Sequence, residues 1–402
     1  MKKSDRSNSR SGGRKRSPLL FGITFRAILI VAAAAMFLSY TAVYVNPSKF
    51  SLPLFFGLYF IPILGINIFL LLIALLRRSA SAWITVVALL PALLYSELFV
   101  KIASKDTATA EGIELKIESW NVGMFSSGTP EKTSGHGKLS REECRIEVAL
   151  HLKQEDPHIV CLQEFFVENR LQADTIFKQY PHRHYHLFKA HNGKLFGNII
   201  LSKFPLKETG RISFPNSTNL SIYADIDHYG RTLRIYNNHL ESYNVSFTAL
   251  ALKFAELVKK NKNHSFTATE EERNTAIAEL GAARDELTRD IVTTHEKMKG
   301  TFIKRSQQVE SIIGHINNTP NQAIICGDFN DTPMSYTYHT LAKNRKDTFK
   351  EAGRGFGATF APIWPLLRID YLLVPASTQC LNHSIHKIRL SDHYPSIARV
   401  II

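Results

Sequence analysis

Six places in this chain put a polar residue beside a short apolar run, and the residue types share one chemistry. Asn121 follows "ESW", Glu164 follows "CLQ", and "YNNHLES" supplies Asn238 and His239. Asp328 and Asn330 follow "IICG", Asp370 lies within "LLRIDYLL", and Asp392 and His393 lie within "LSDHYP". Singly, each has a plain reading as a turn former or a hydrogen-bonded surface residue. Collected at strand ends, they are expected to gather on one rim of a layered β fold. Hard oxygen donors from Glu164, Asp392 and the Asn121 carboxamide suit Mg²⁺ or Mn²⁺. Asp328 and Asn330 can orient an attacking water. The two histidines can donate to a phosphate or protonate a leaving oxygen. The chemistry this set asks for is phosphoester hydrolysis.

Such residues need rigid strands beneath them. From Ile113 onward the sequence alternates short apolar runs with helical patterns. "IELKIESW", "HIVCLQEF", "LFGNIILSKFP", "AIICGDF", "RIDYLLV" and "YPSIARVII" read as strands. "LSIYADID" and "RTLRIYNNHL" read as a hairpin joined at "HYGR". "REECRIEVALHLKQEDP" has helical spacing and stops at Pro157. The result is a strand-rich α/β chain. Residues 246–316 break this rhythm, being poor in Gly and Pro and rich in Ala, Glu, Lys and Leu. They are predicted to form two helices, the second capped by Thr267 or Thr269. Either a solvated hairpin or a lid or partner surface beside the site fits that pattern. Cys161 and Cys326 fall in predicted core strands, where free Cys is a small hydrophobe. The cysteine spacing fits neither a disulfide framework nor a zinc site.

The first hundred residues differ. Residues 1–18 carry seven Lys or Arg against one Asp, within a net charge of +14 for the chain. Three apolar runs follow, at residues 19–45, 52–76 and 82–100. Each is long enough to cross a hydrocarbon core of about 30 Å. The expectation is a three-helix transmembrane anchor over residues 19–102, with a polar linker at 103–112 that reaches at most roughly 35 Å. Basic residues mark the inner side. The tail is basic, Arg77 and Arg78 lie between the second and third runs, and only Lys49 lies between the first two. The tail is therefore expected in the cytoplasm and the domain after Val100 on the outer face, periplasmic in a bacterium. A transport pathway is disfavoured, since the runs hold few polar groups.

The ordered segments "SWNV", "LQEF", "NNHL", "GDFND", "RIDYLLV" and "SDHYP" resemble the endonuclease/exonuclease/phosphatase superfamily, which includes deoxyribonuclease I-like nucleases. The resemblance covers about residues 113–402, the helical insert excepted. It implies a four-layer αββα sandwich with the site at one edge of two sheets. It also implies that Asn121 and Glu164 bind the metal, with Asp392 close by. Asp328 and Asn330 would position the nucleophilic water and the phosphate. His393 would contact the phosphate and be oriented by Asp370, and His239 would be a candidate general acid. Abasic-site endonucleases usually carry Tyr at the His239 position. The aromatic-rich pattern of inositol phosphatases is also missing around "GDFND". The chain stands nearer the nuclease, sphingomyelinase and deadenylase branches.

The expected activity is that of a membrane-anchored phosphodiesterase on nucleic acid or a phospholipid head group. A phosphomonoesterase and an inactive membrane-anchored binding module are the alternatives. Arg368, Trp364 and residues 182–189 are candidates for stacking and charge against nucleic acid. "FAPIWPLL", residues 360–367, is a candidate apolar rim toward a bilayer. No protein partner is inferred.

Overall fold

The computed structural model describes residues 18–102, 112–126, 128, 138–190, 193–243, 252–259 and 270–402. The basic tail before Pro18, most of the predicted linker, and the caps Thr267 and Thr269 lie outside the described residues.

Alternation along the strands fixes the layers. In β2 (Glu114–Asn121) Leu115 and Ile117 join one apolar cluster, and Trp120 joins another on the opposite face. β3 (Ile159–Val167) divides in the same way, Ile159 and Cys161 against Val160 and Leu162. A strand buried on both faces must lie between two layers. One side is covered by α5 (Arg141–Glu155), through Cys144, Val148 and Leu152. Its start follows local chemistry. Ser140 and Glu143 form a reciprocal capping box.

The other side is a second sheet. The first sheet has the order β13 (Gln379–Ile385), β14 (Ser396–Ile401), β2, β3, β5 (Leu195–Ser202), β4 (His182–Lys189). The second has the order β10 (Arg345–Asp347), β12 (Asp370–Pro375), β9 (Gln322–Asp328), β8 (Arg231–His239), β7 (Leu220–His228), β6 (Leu206–Ser213). Between them lies a core built from Ile117, Cys161, Ile200, Ile222, Ile235, Ile324 and Leu372. The predicted hairpin is β7–β8, turning at Tyr229 and Gly230 with φ of 51° and 86°. Two positive φ values suit the right-handed twist of a tight hairpin.

The outer face of the second sheet is covered by the end of α8 (Glu270–Asn317), through Val309, Ile312 and Ile316, and by α9 (Tyr336–Ala342). This corrects the solvated-hairpin reading of residues 246–316 for the second half of α8. Only the first part of α8 is a solvated hairpin. There Lys253, on α7 (252–259), donates to Glu286 and Asp290 at 2.8 and 2.6 Å. From Met298 onward the same helix is core.

The anchor region forms α1 (Pro18–Thr41), α2 (Leu52–Leu58), α3 (Phe60–Leu76) and α4 (Ala82–Leu89), the last continuing as 3-10 turns over Leu90–Leu98. α1 is long and apolar enough to cross a membrane over Gly22–Thr41. The second run is not one straight helix, because α2 and α3 are bent by 72°. Pro62 has no N–H to offer the Leu58 carbonyl and so breaks the helix there, and packing holds the bend. Leu54 and Phe55 of α2 lie against Met298 and Phe302 of α8. The apolar face of α2 thus covers the helical layer of the sandwich. Ala82–Leu98 is shorter still, so one helix, or two if the bent pair counts as one span, meets the length and composition expected of a crossing.

Three further contacts join anchor to sandwich. β1 (Val100–Lys101) pairs antiparallel with β11 (Gly355–Phe356). Ser48 and Ser306 hydroxyls lie 3.0 Å apart. Gly57 is pressed so closely on the loop after β9 that an added Cβ would stand 2.2 Å from the Met334 carbonyl oxygen. Gly57→Val should lower the thermal midpoint of the detergent-solubilised protein, since overpacking costs about 1–3 kcal/mol. Gly65→Val, with nothing within 4 Å, should leave it nearly unchanged. Equal midpoints for the two variants would refute a tight seat for α2.

Candidate active site

Two parallel strand pairs bring the polar residues together. β2 and β3 run parallel, with Asn121 opposite Gln163, and β8 and β9 run parallel, with His239 opposite Asp328. Their ends therefore meet at one edge of the sandwich. Asp370 and His393 arrive differently from expectation. Both precede a strand. Asp370 opens β12, which is antiparallel to β9 and places it opposite Asp328. His393 lies in the loop before β14, whose first residue, Ser396, pairs with Ser119 of β2. Antiparallel neighbours bring a strand's start to the edge where its neighbour ends.

Gly327 is required by close approach. Its φ is 130°, and a Cβ there would stand 2.0 Å from the Asn238 carbonyl oxygen. Glu164 has φ of 50°, where the β3–β5 register shifts between Leu162 and Phe165. The bulge turns the Glu164 side chain out of the alternating pattern toward the cleft.

Asp328 stands at the centre, 1 % exposed. Asn121 Nδ2 donates to its Oδ2 at 3.0 Å, Asn330 N to its Oδ1 at 2.8 Å, and Asn330 Nδ2 to its Oδ2 at 3.2 Å. Burial raises the Asp328 carboxyl to about 6, and Asp370 adds to that, while the two histidines and Asn121 pull against it. His393 Nδ1 lies 2.9 Å from Asp370 Oδ2, which leaves Nε2 facing Asp328 Oδ2 at 3.8 Å. Burial opposes charge on this imidazole, but Asp370 and Asp328 outweigh it and lift the group to about 10. Both carboxylates thus favour the charged imidazole, and its Nε2 faces the cleft. His239 Nε2 approaches from the opposite sheet, 3.9 Å from Asp328 Oδ2 and 3.6 Å from Glu164 Oε1. A recess of about 250 Å³ beside Glu164 and His239 is lined by Met124, Asn198, Asn219 and Ser242.

A sequence comparison decides the family. The profile of the Endonuclease/Exonuclease/phosphatase family matches residues 119–393. The chain belongs to this family. The profile of a domain of unknown function, DUF8431, matches residues 22–97. No curated protein matches. Among solved structures, an endonuclease/exonuclease/phosphatase from Beutenbergia cavernae is 15 % identical, with 72 % of each chain covered and a TM-score of 0.47. D. rerio TDP2 complexed with a single-strand DNA product is 16 % identical, covering 72 % of this chain and 99 % of its own, at a TM-score of 0.44. The human nocturnin catalytic domain is 14 % identical, covering 71 % of this chain and 94 % of its own, at a TM-score of 0.45.

All eight sequence-derived residues of this family member lie on the loops and strand ends just described, but they are not equally close. Asp328, Asp370 and His393 offer ligand or proton-transfer atoms within 4.8 Å of one another. Glu164 joins them through Asn121, whose Nδ2 lies 3.3 Å from Glu164 Oε1. Asp392 is half-buried and accepts from Ser391 Oγ at 3.2 Å. The donor set fits a hard divalent cation: partly exposed Glu164, half-buried Asp392, and a buried Asp370 Oδ1 with no hydrogen-bond partner. Asn121 turns its Nδ2 toward the carboxylates, and its Oδ1 accepts from Gly123 N at 3.0 Å. To hold a cation, this amide must turn over and release Gly123.

Of the nucleic-acid cues, Arg368 does not survive, and Arg183 within residues 182–189 is occupied. Arg368 is 1 % exposed and clamped on Asp347 at 2.6 and 2.8 Å. Residues 182–189 form the edge strand β4, where Arg183 is spent on the carbonyls of Ala173, Asp174 and Tyr180. The loop "FAPIWPLL" does present an apolar rim. Ile363, Trp364 and Leu366 are 46, 38 and 48 % exposed.

Sequence reading missed the amides beneath the site. Gln163 Nε2 donates to Asn237 Oδ1 at 2.7 Å, and Asn237 Nδ2 donates to the carbonyls of Leu162 and Ile199 at 2.9 and 2.8 Å. Their signal was a polar residue inside an apolar run, as in "CLQEF". It missed Arg305 too. This fully buried residue of α8 donates to the Asn330 and Glu241 carbonyls and stacks over Tyr243 at 4.3 Å.

Asp328→Asn should keep the fold and lower kcat by about 10²–10⁴-fold, the range of a lost general base. In the wild type, kcat/KM should fall as pH drops through about 6, where Asp328 gains its proton. A divalent cation competes with that proton, so raising its concentration should move the acid limb to lower pH. Near wild-type turnover in Asp328→Asn, or an acid limb indifferent to metal, would remove Asp328 from this role.

Proposed function

We propose that this chain is a membrane-anchored, Mg²⁺- or Mn²⁺-dependent phosphodiesterase that hydrolyses a lipid head group at the bilayer surface. One observation carries the hydrolytic reading: a buried carboxylate, Asp328, lies between two imidazole Nε2 atoms, at 3.8 and 3.9 Å. That is one proton acceptor flanked by two donors. Glu164, with a turned Asn121 and Asp392 nearby, would hold the cation, which polarises a phosphoryl oxygen as a Lewis acid when bound. Asp328 takes one proton from the attacking water as its oxygen forms the new bond to phosphorus. The bond from phosphorus to the leaving oxygen breaks, and His239 supplies that oxygen with a proton. His393, charged and held by Asp370, donates from Nε2 to a phosphoryl oxygen whose charge grows in the transition state.

A lipid is favoured over nucleic acid by the surroundings of His393. Phe360 forms a β-bridge with His393, and the exposed Ile363, Trp364 and Leu366 follow at once. Phe356, also exposed, meets Trp364 edge-on at 5.7 Å and belongs to β11, which pairs with β1 at the end of the anchor. An apolar, Trp-bearing rim joined to the anchor's end suits an interface. The full-length protein in detergent should hydrolyse a phospholipid or sphingolipid in preference to DNA or RNA, and chelation should abolish the activity. Glu164→Gln should raise the Mg²⁺ concentration needed for half activity, since an amide is a poorer ligand than a carboxylate. Turnover confined to nucleic acid would overturn the lipid reading, and metal-independent turnover the cation.

The orientation we propose has three crossings, the N-terminus inside and the site outside. α1 has the length and composition of a crossing, and the proposal requires the bent pair α2–α3 and the shorter Ala82–Leu98 to cross as well. Alkaline phosphatase fused after Val100 should be active, and fused after Ser79 nearly inactive, because it matures only outside the cytoplasm. The opposite pattern would place the site inside.

A further inference from the structure

A second cavity, of about 700 Å³, opens between the anchor and the catalytic domain, and none of the eight site residues lines it. Its two walls differ sharply. One comes from the end of the anchor: Tyr44, just past α1, with Leu94, Tyr95 and Leu98 from the turns after α4. Tyr44 and Leu94 are 75 and 78 % exposed, and Leu90 and Leu93 extend the same apolar surface outside the cavity. The other wall is basic. Lys343, Arg345, Lys346 and Lys350 line it, on the segment from the end of α9 through β10 to α10 (Thr348–Ala352).

These cations are not balanced from within. Of the two acids in the lining, Asp347 is already committed to Arg368 and to the Tyr338 hydroxyl, and Glu351 is exposed. Among the described residues, none of the four basic side chains forms an ion pair with a carboxylate. Arg345 donates only to the carbonyls of Leu341 and Lys343, at 3.0 and 3.1 Å, and burial lowers its pKa. Lys346 donates to the Thr378 carbonyl at 2.8 Å. His339 also lines the cavity, and its buried Nε2 has no hydrogen-bond partner. A ligand that matches these walls has a compact negative group at one end and an apolar body at the other. The volume lies within the range that takes a molecule of that kind.

We propose that this groove binds one anionic glycerophospholipid from the leaflet on the catalytic-domain side. Its phosphate lies against Lys343, Arg345 and Lys350, and its chains run along Leu94 and Leu98. A soluble anion would use only the basic wall. The continuity of the other wall with the apolar anchor surface selects a lipid. The inference rests on the membrane anchorage proposed above, but not on which side the domain faces. It does not make this lipid the substrate, since the hydrolytic residues lie elsewhere.

The test uses the full-length protein reconstituted into bilayers of phosphatidylcholine mixed with phosphatidylglycerol. Sedimentation with the bilayers is measured first, and lipid retained after detergent extraction second, by native mass spectrometry. Wild type should retain phosphatidylglycerol over phosphatidylcholine. The double variant Lys343→Glu with Lys350→Glu should lose that preference by roughly tenfold or more, two basic groups having become acidic. Its thermal midpoint should match wild type, and Lys178→Glu, exposed on the far layer beside α5, should keep the preference. Excess inorganic phosphate should not displace the lipid. Equal retention of both lipids by wild type, or displacement by phosphate, would overturn the proposal. Sedimentation without any retained lipid would overturn the groove and leave the anchor standing. Failure to sediment would overturn the anchorage and the groove with it.

Discussion

A carboxylate taken almost wholly out of water must be surrounded by donors, and Asp328 imposes that condition on everything near it. The donors come from both sheets. Asn121 ends a strand of the first, His239 ends a strand of the second, and His393 lies in the loop that leads back into the first. The two sheets therefore cannot slide past one another without stripping Asp328 of its partners. The amides beneath, Gln163 and Asn237, resist the same motion, because Asn237 in the second sheet donates to carbonyls of the first. A mixed sandwich with only apolar side chains between its sheets would tolerate several registers. These polar crosslinks favour the one register in which the Asn237 amide and the Asp328 carboxylate keep their partners.

His393 and Asp328 also set each other's charge. The imidazole is held as a cation by two carboxylates, and that cation keeps Asp328 from rising further. Asp370 is placed to serve His393 rather than to compete for the water proton, because its Oδ2 faces Nδ1 at 2.9 Å. Two acids in one buried cleft thus take different work from their positions in antiparallel strands. One faces an imidazole nitrogen and the other collects amide donors at the mouth of the cleft.

Much of this could be read from the chain alone. Strand ends followed by Asn, Glu, His and Asp gave the rim, because apolar runs of strand length stop where polar chemistry begins. Buried strands and a period of two were enough for the two-sheet core. What could not be read was direction. Asp370 and His393 stand before their strands, and no local pattern in "RIDYLL" or "SDHYP" says whether the next strand runs with or against its neighbour. The helical insert misled for a related reason. Residues 270–317 form one uninterrupted helix, and its amphipathic pattern gives no sign that the second half packs on a sheet while the first pairs with α7 in solvent. What α2 packs against was equally hidden. "LPLFFGLYFIPILGINIF" holds no charge, and although Pro62 marks a break, nothing in the stretch separates the part that covers α8 from the rest.

That last ambiguity bears on what the anchor does. A tether needs only a helix and a linker. Here α2 packs on α1 and at the same time seats Leu54 and Phe55 on α8 and Gly57 on the loop just after Asp328 and Asn330. The same stretch of α8 carries Arg305, which donates to the Asn330 carbonyl from beneath. Anchor, helix and site loop are consecutive links of one packed chain. Displacing α2 would loosen the support under Arg305 before it touched any residue of the cleft. The orientation of the sandwich relative to the anchor is thereby fixed by the contacts that hold the Asp328 loop. In such an arrangement, the seat of α2 on the sandwich and the geometry of the site loop are set by one interface and cannot be tuned apart.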